Sequence, residues 1–130
     1  MGSKKIRNLA LCAAVLLVAG CSNTLGDEEA KVVFDQHNDL YTYDLVSDAL
    51  SRGDRLAAQA AVQKRNYLKR SLVISDCASV EGTGAEAEGF DYVRCTSTLP
   101  PTRVSGKSEG GLIFSRTKGS EVWVFLKSTN

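Results

Sequence analysis

Apolar side chains recur every three or four residues over positions 30–49, which is the spacing of one face of a helix. The positions with this spacing mix an apolar stripe with acids on its margin, and they are Val33, His37, Leu40, Tyr41, Asp44, Leu45, Asp48 and Ala49. The pattern predicts a helix over residues 28–51 whose apolar stripe faces the rest of the protein. The run Val32-Val33-Phe34 has β-branched and aromatic character, so a short strand there is the alternative.

A second helix is predicted over residues 55–69, where helix-forming residues dominate. Gly53 suits the end of the first helix, and Asp54 suits the N-cap of the second. The residues that can face inward are Leu56, Ala60, Ala61, Tyr67 and Leu68, while Lys64, Arg65, Lys69 and Arg70 face outward. Together the helices predict an αα-hairpin in which acids of the first face bases of the second.

Beyond residue 70 the pattern changes to alternation, which is typical of strands. Strands are predicted over residues 72–77, 90–98, 112–116 and 121–127, with the last two joined around Lys118-Gly119. Pro100-Pro101 ends the second strand because proline donates no ladder hydrogen bond. The run 122–126 has large groups on both faces, so the last strand is expected to be central. Residues 78–89 form an acidic, glycine-containing loop.

The predicted fold class is therefore α+β, with an N-terminal two-helix hairpin packed on a three- to four-stranded antiparallel sheet. The length fits a single domain, placed at residues 30–130. Cys77 and Cys95 are expected to form one disulfide, because Cys12 and Cys21 are assigned to a leader and its cleavage site.

The leader comprises basic Lys4, Lys5 and Arg7, an apolar run over residues 9–18, and Ala19-Gly20-Cys21. This order resembles the lipobox signal peptide of bacterial lipoproteins. The resemblance implies cleavage between Gly20 and Cys21, attachment of diacylglycerol to the Cys21 thiol, and N-acylation of the new Cys21 amine, for example with palmitate. Ordinary secretion without lipid is the alternative.

Residues 21–29 are expected to form a tether between the membrane and the domain. Ser22 stands where the family's inner-membrane retention signal has aspartate, so the resemblance implies the periplasmic face of the outer membrane in a host with two membranes. The order of helices and strands also resembles that of several small envelope lipoproteins, although it carries no site residues across.

Charge and composition limit the classes of partner that the protein is expected to bind. The chain carries 16 basic and 15 acidic side chains, and three of the bases lie in the leader. The remaining chain is slightly acidic, which argues against a nucleic-acid partner. Membrane lipid, reached through the anchor, and an envelope protein are the expected partners. The cluster Lys64, Arg65, Lys69 and Arg70 is a candidate partner patch, with a solvated helix face as the alternative.

No catalytic, cofactor or metal site is predicted, and the protein is interpreted as a non-enzyme. The sole histidine, His37, lies between Asp35 and Asp39, but helical geometry turns it about 200° from Asp35. A solvated histidine, or one hydrogen-bonded between the helices, is therefore favoured over a metal ligand. Glu81, Glu86, Glu88 and Asp91 favour solubility over calcium binding. Gly106-Lys107-Ser108 is not a phosphate loop, because Pro101 replaces the glycine that such a loop requires.

The leading hypothesis is an anchored assembly or interaction factor of an envelope complex, such as a secretion, pilus, conjugation or outer-membrane system. One alternative is an acyl-chain or small apolar ligand-binding lipoprotein, with a cavity lined by Leu40, Leu45, Trp123 and Phe125. Another is an inhibitor or exclusion lipoprotein that acts through Glu81, Glu86 and Glu88.

Overall fold

The structure is a computed structural model that describes residues 24–82 and 88–129. Along these residues the elements are α1 (Asp27–Ser51), α2 (Arg55–Ser71), β1 (Val73–Val80), β2 (Phe90–Leu99), β3 (Ser108–Thr117) and β4 (Val124–Thr129). The predicted α+β class, with a helix hairpin on an antiparallel sheet, is confirmed. The leader with Cys21, and Glu86 of the acidic loop, lie outside the described residues.

The strands of the described chain form an antiparallel sheet in the order β1-β2-β3-β4. As predicted, β2 ends immediately before Pro100. A turn at Lys118-Gly119 follows β3, with Gly119 at a φ of 86° that favours glycine.

β4 lies at an edge of the sheet, so the prediction of a central final strand is wrong. Trp123 and Phe125 face the helices, whereas Val122, Val124 and Leu126 are exposed. β4 therefore has large apolar groups on both faces because one apolar face is left exposed, and not because the strand is buried on both sides.

The core lies between α1 and the sheet. Partly buried Phe125 packs against this core, and its ring makes edge contacts with Phe34 at 5.2 Å and with Phe114 at 5.6 Å between centroids. Leu25, which precedes α1, is only 1% exposed and belongs to the same core. The folded domain therefore begins earlier than the boundary predicted at residue 30.

α1 crosses the sheet from β1 to β4. Its first residue, Asp27, accepts a hydrogen bond from the Cys77 backbone N–H of β1 at 3.2 Å, and His37 packs its ring on Phe125 of β4 at 4.9 Å. The helix has 25 residues and is therefore about 37 Å long, while this sheet is only about 14 Å across. The C-terminal half of α1 therefore extends beyond the β4 edge.

This overhang overturns the inward stripe predicted for α1. Tyr41 and Leu45 lie on the helical line that Ala30 and Phe34 begin, but they are exposed, and so is Leu40 at the margin of the predicted stripe. The helical period is correct, and the sheet ends before it can cover these positions. The side chains of α1 that are buried are instead Ala30, Phe34, Thr42 and Ala49.

α2 packs along α1. Gly53 has a φ of 74° between the helices, and the Asp54 carboxylate accepts the Ala57 N–H at 3.0 Å, so both predicted end signals are confirmed. The predicted inward set is only partly right: Leu56 is 79% exposed, and Ala58 is the buried residue of this helix. The small alanine allows the close approach of α1.

Cys77 and Cys95 form the predicted disulfide, with their Cα atoms 4.0 Å apart. The β1–β2 pairing shifts between Ser75 and Ala78, which places Asp76 and Cys77 in a bulge opposite Cys95. Asp76 takes a left-handed φ of 54°, which aspartate tolerates better than most residues. Asp27 accepts the Cys77 N–H within this bulge and so joins the start of α1 to the disulfide-bonded edge.

Candidate interaction surface

The overhanging part of the helices, residues 40–62, is here named the distal hairpin. It exposes the large apolar or aromatic side chains of Leu40, Tyr41, Tyr43, Leu45, Leu50 and Leu56. Leu40 and Tyr43 are 71% and 70% exposed, although they lie in the middle of a regular helix. Clustered exposure of this kind marks an interaction surface more often than a solvated one.

Helical geometry divides these side chains of α1 between two faces. Tyr41 and Leu45 point towards the sheet side, while Tyr43 and Leu50, seven residues apart, share a face turned roughly 150° away. Beside them, a shallow hollow of about 400 Å³ is lined by Val46, Ala58, Gln59, Val62 and Gln63. The distal hairpin therefore presents ridges and a hollow that a partner can cover.

The helices are joined by the predicted charge pairing, centred on Asp39. Its carboxylate lies 3.2 Å from Lys69 Nζ and 3.8 Å from Arg65 Nε. On the preceding turns Lys31 pairs with Asp35 at 2.9 Å and donates to the Lys69 carbonyl at 3.0 Å. These contacts hold the proximal part of the hairpin together and leave the distal part to be held by packing.

The predicted basic patch is divided by these contacts. Arg65 and Lys69 are engaged with Asp39, while Lys64 and Arg70 are exposed and form no ion pair with any other described residue. Their helical positions are about 120° apart. The structure thus does not gather the four bases on one face.

His37 is exposed, as the first of the two favoured interpretations predicts, and its ring meets that of Phe125 edge-on. It forms no hydrogen bond to a described residue of α2, so the second interpretation is wrong. Its flanking acids turn away, because Asp35 pairs with Lys31 and Asp39 pairs with α2. Over residues 24–82 and 88–129, no group of three His, Cys, Asp or Glu side chains is arranged to hold a metal ion.

The other candidate site residues that were chosen from the sequence do not come together in the structure either. Asp91 lies in β2 and pairs with Arg116 of β3 at 3.1 Å, so it is not part of the acidic loop. Arg116 in turn lies over the Trp123 ring at 4.6 Å. Leu40 and Leu45 are exposed on the overhang, whereas Trp123 and Phe125 lie in or against the core, so these four do not line one cavity.

The face of the sheet opposite α1 has a surface of its own. Register places Arg94, Ile113 and Lys127 in one row across β2, β3 and β4, and Val80 beside Tyr92 in the next. A hollow of about 300 Å³ lies over these rows. We name Val80, Tyr92, Arg94, Ile113, Leu126 and Lys127 the outer patch. Nothing in the sequence marked it, because strand alternation alone does not tell which face a helix will cover.

Comparison with protein-family models, with curated proteins and with solved structures found no match. Neither helix in the described parts of the chain is long and apolar enough to cross a membrane.

Proposed function

We propose that this protein is a lipid-anchored envelope lipoprotein that binds a protein partner through its distal hairpin and thereby supports a larger envelope complex. The observation that carries the proposal is the set of large side chains that α1 and α2 expose beyond the sheet.

These side chains are placed as a helix-in-groove contact requires. Tyr43 and Leu50 are spaced by seven residues on one face of α1, which is the spacing of anchors that enter a hydrophobic groove. Tyrosine is enriched among the residues that dominate interface energies. Each fully buried leucine or tyrosine would contribute about 1.5–3 kcal/mol before the cost of association.

The leader supplies the second part of the proposal. Residues 1–21 resemble a lipoprotein signal, so the domain would be fixed to a membrane by acylated Cys21. An acyl anchor of two or three chains is far firmer than a single myristoyl group. Confinement of this kind raises the effective concentration of the hairpin for a partner in the same membrane.

The test is photocrosslinking in intact cells at natural abundance. A photoreactive amino acid replaces Tyr43 in the full chain, and the control carries it at Arg103, an exposed position between β2 and β3. A discrete crosslinked product from position 43 and none from position 103 is expected. The Cys21→Ser chain is expected to lose the product, because it loses the anchor.

A matched pair of substitutions separates binding from general damage. Leu50→Asp places a charge on the face of Tyr43, whereas Val104→Asp places the same charge at an exposed site outside the helices. The crosslinked product is expected to vanish with the first and to persist with the second. Equal products from both variants, or no product from position 43, would contradict the proposal.

A further inference from the structure

The folded domain begins very close to the proposed acyl anchor. Leu25 is fixed in the core, and Asp27 is hydrogen-bonded to β1. Only Ser22, Asn23 and Thr24 separate Cys21 from Leu25. Four Cα steps reach at most about 14 Å, so an acylated Cys21 would hold the domain against the lipid headgroups. This step rests on the acylation in the proposed function.

The position of Leu25 limits which surface can meet the lipid. The start of α1 lies beside Cys77 of β1, an edge strand of the sheet. Val80 of the outer patch is three residues further along this strand, about 10 Å away. The outer patch therefore lies within reach of a bilayer that holds Cys21.

The outer patch has the chemistry of a membrane-facing surface. Val80 and Leu126 are 39% and 50% exposed, and Tyr92 lies beside Val80 in the register of β1 and β2. Arg94 and Lys127 flank Ile113 and form no ion pair with other described residues. Apolar and aromatic groups beside unpaired cations suit the boundary between acyl chains and phosphates.

The Arg94 guanidinium lies over Gly111 of β3, in the space that a Cβ atom at that position would occupy, and the Thr129 hydroxyl lies close to the same position. A guanidinium carries five N–H donors whose geometry matches the oxygens of a phosphate, such as those of lipid headgroups. Glu81 is the acidic residue that borders the hollow, and it stands at the end of β1.

Near the proposed anchor, the side of the domain that carries the helices is negatively charged. The first turn of α1 carries Asp27, Glu28 and Glu29, all exposed, which an anionic leaflet would repel. We infer that the helix-free face of the sheet rests on the bilayer surface through the outer patch, and leaves the hairpin on the side away from the lipid.

The test uses the acylated full chain in vesicles of phosphatidylethanolamine with a minority of phosphatidylglycerol. Since Cys21 is acylated and Cys77 is paired with Cys95, one added cysteine gives one free thiol for a nitroxide label. Val124→Cys labels the outer face, and Ser47→Cys labels the distal hairpin. On vesicles, the label at 124 is expected to lose access to a water-soluble nickel chelate severalfold, while the label at 47 keeps it.

A matched charge reversal tests the role of the cations. Arg94→Glu with Lys127→Glu is expected to restore access at position 124, because each cation near an anionic leaflet contributes roughly fivefold to binding. Lys64→Glu with Arg70→Glu makes the same change of charge on α2 and is expected to leave position 124 protected. Unfolding curves of both variants verify that the fold is intact.

Three results would overturn the inference: equal access at positions 124 and 47, no effect of the Arg94 and Lys127 reversal, or protection at 124 only after an envelope protein fraction is added. The third result would make the outer patch a protein-binding surface. Intact mass reports acylation separately, so a chain without lipid overturns the proposed anchor and is told apart from a lipidated chain that lies differently.

Discussion

Reduction of the Cys77–Cys95 disulfide is expected to lower the free energy of unfolding by about 3 kcal/mol. The bridge joins residues 18 apart, and closing a loop of that size removes about this much conformational entropy from the unfolded chain. Reduction leaves both sulfur atoms in place, so buried Cys95 keeps its packing as a thiol. The difference between oxidised and reduced protein therefore isolates the crosslink.

The assay is a urea titration followed by fluorescence of Trp123, the sole and buried tryptophan. It is run with and without a phosphine reductant, and Cys77→Ala with Cys95→Ala serves as a control that the reductant must not affect. The slope with urea is expected to rise on reduction, because the unfolded chain becomes more expanded. A stability loss below about 1 kcal/mol would refute the loop-entropy reasoning.

Three further changes test packing, backbone space and capping. Phe125→Ala is expected to cost about 3 kcal/mol, because this ring contacts both the helix and β3, and calorimetry measures the loss. Gly111→Ala is expected to cost less than about 1 kcal/mol, because the new methyl group meets the flexible end of Arg94 and the Thr129 hydroxyl, which can move aside, whereas Gly106→Ala, which has open space, is expected to be close to neutral in the same urea titration. Asp54→Ala is expected to cost about 1 kcal/mol by removing the α2 cap, and an unchanged melting temperature would contradict that role.

Features governed by neighbouring residues could be predicted from the sequence. Gly53 and Asp54 mark the helix junction because a left-handed turn and an N-cap depend on the residue itself and the next few positions. Pro100 ends a strand for the same kind of reason. The disulfide was predicted by counting the cysteines that lie outside the predicted leader and its predicted cleavage site.

Features governed by the extent of other elements could not be predicted. The period of α1 correctly placed Tyr41 and Leu45 on the line of the core-facing residues, but no local sequence signal indicates that the sheet is narrower than the helix is long. Likewise, Val124 and Leu126 are residue types that are typical of a buried strand. Their exposure follows from the sheet order, which puts β4 at an edge.

Both candidate surfaces lie where one element of the fold is not covered by another. A long helix on a narrow sheet leaves Tyr43 and Leu50 uncovered at one end. A sheet with helices on one side leaves its other face open. No sequence motif marks either surface, because each one depends on where a neighbouring helix or sheet ends and leaves residues uncovered.

The contact between Phe34 and Phe125 has a consequence for the order in which the chain becomes complete. Phe34 lies near the start of the domain and Phe125 near its end, so ring contact waits for the last strand to be synthesised. α1 and α2, which are adjacent in the chain, can pair long before then. In a chain that stops short of Phe125, Phe34 lacks its partner ring on β4, so apolar surface of the kind that marks an incompletely folded protein stays exposed.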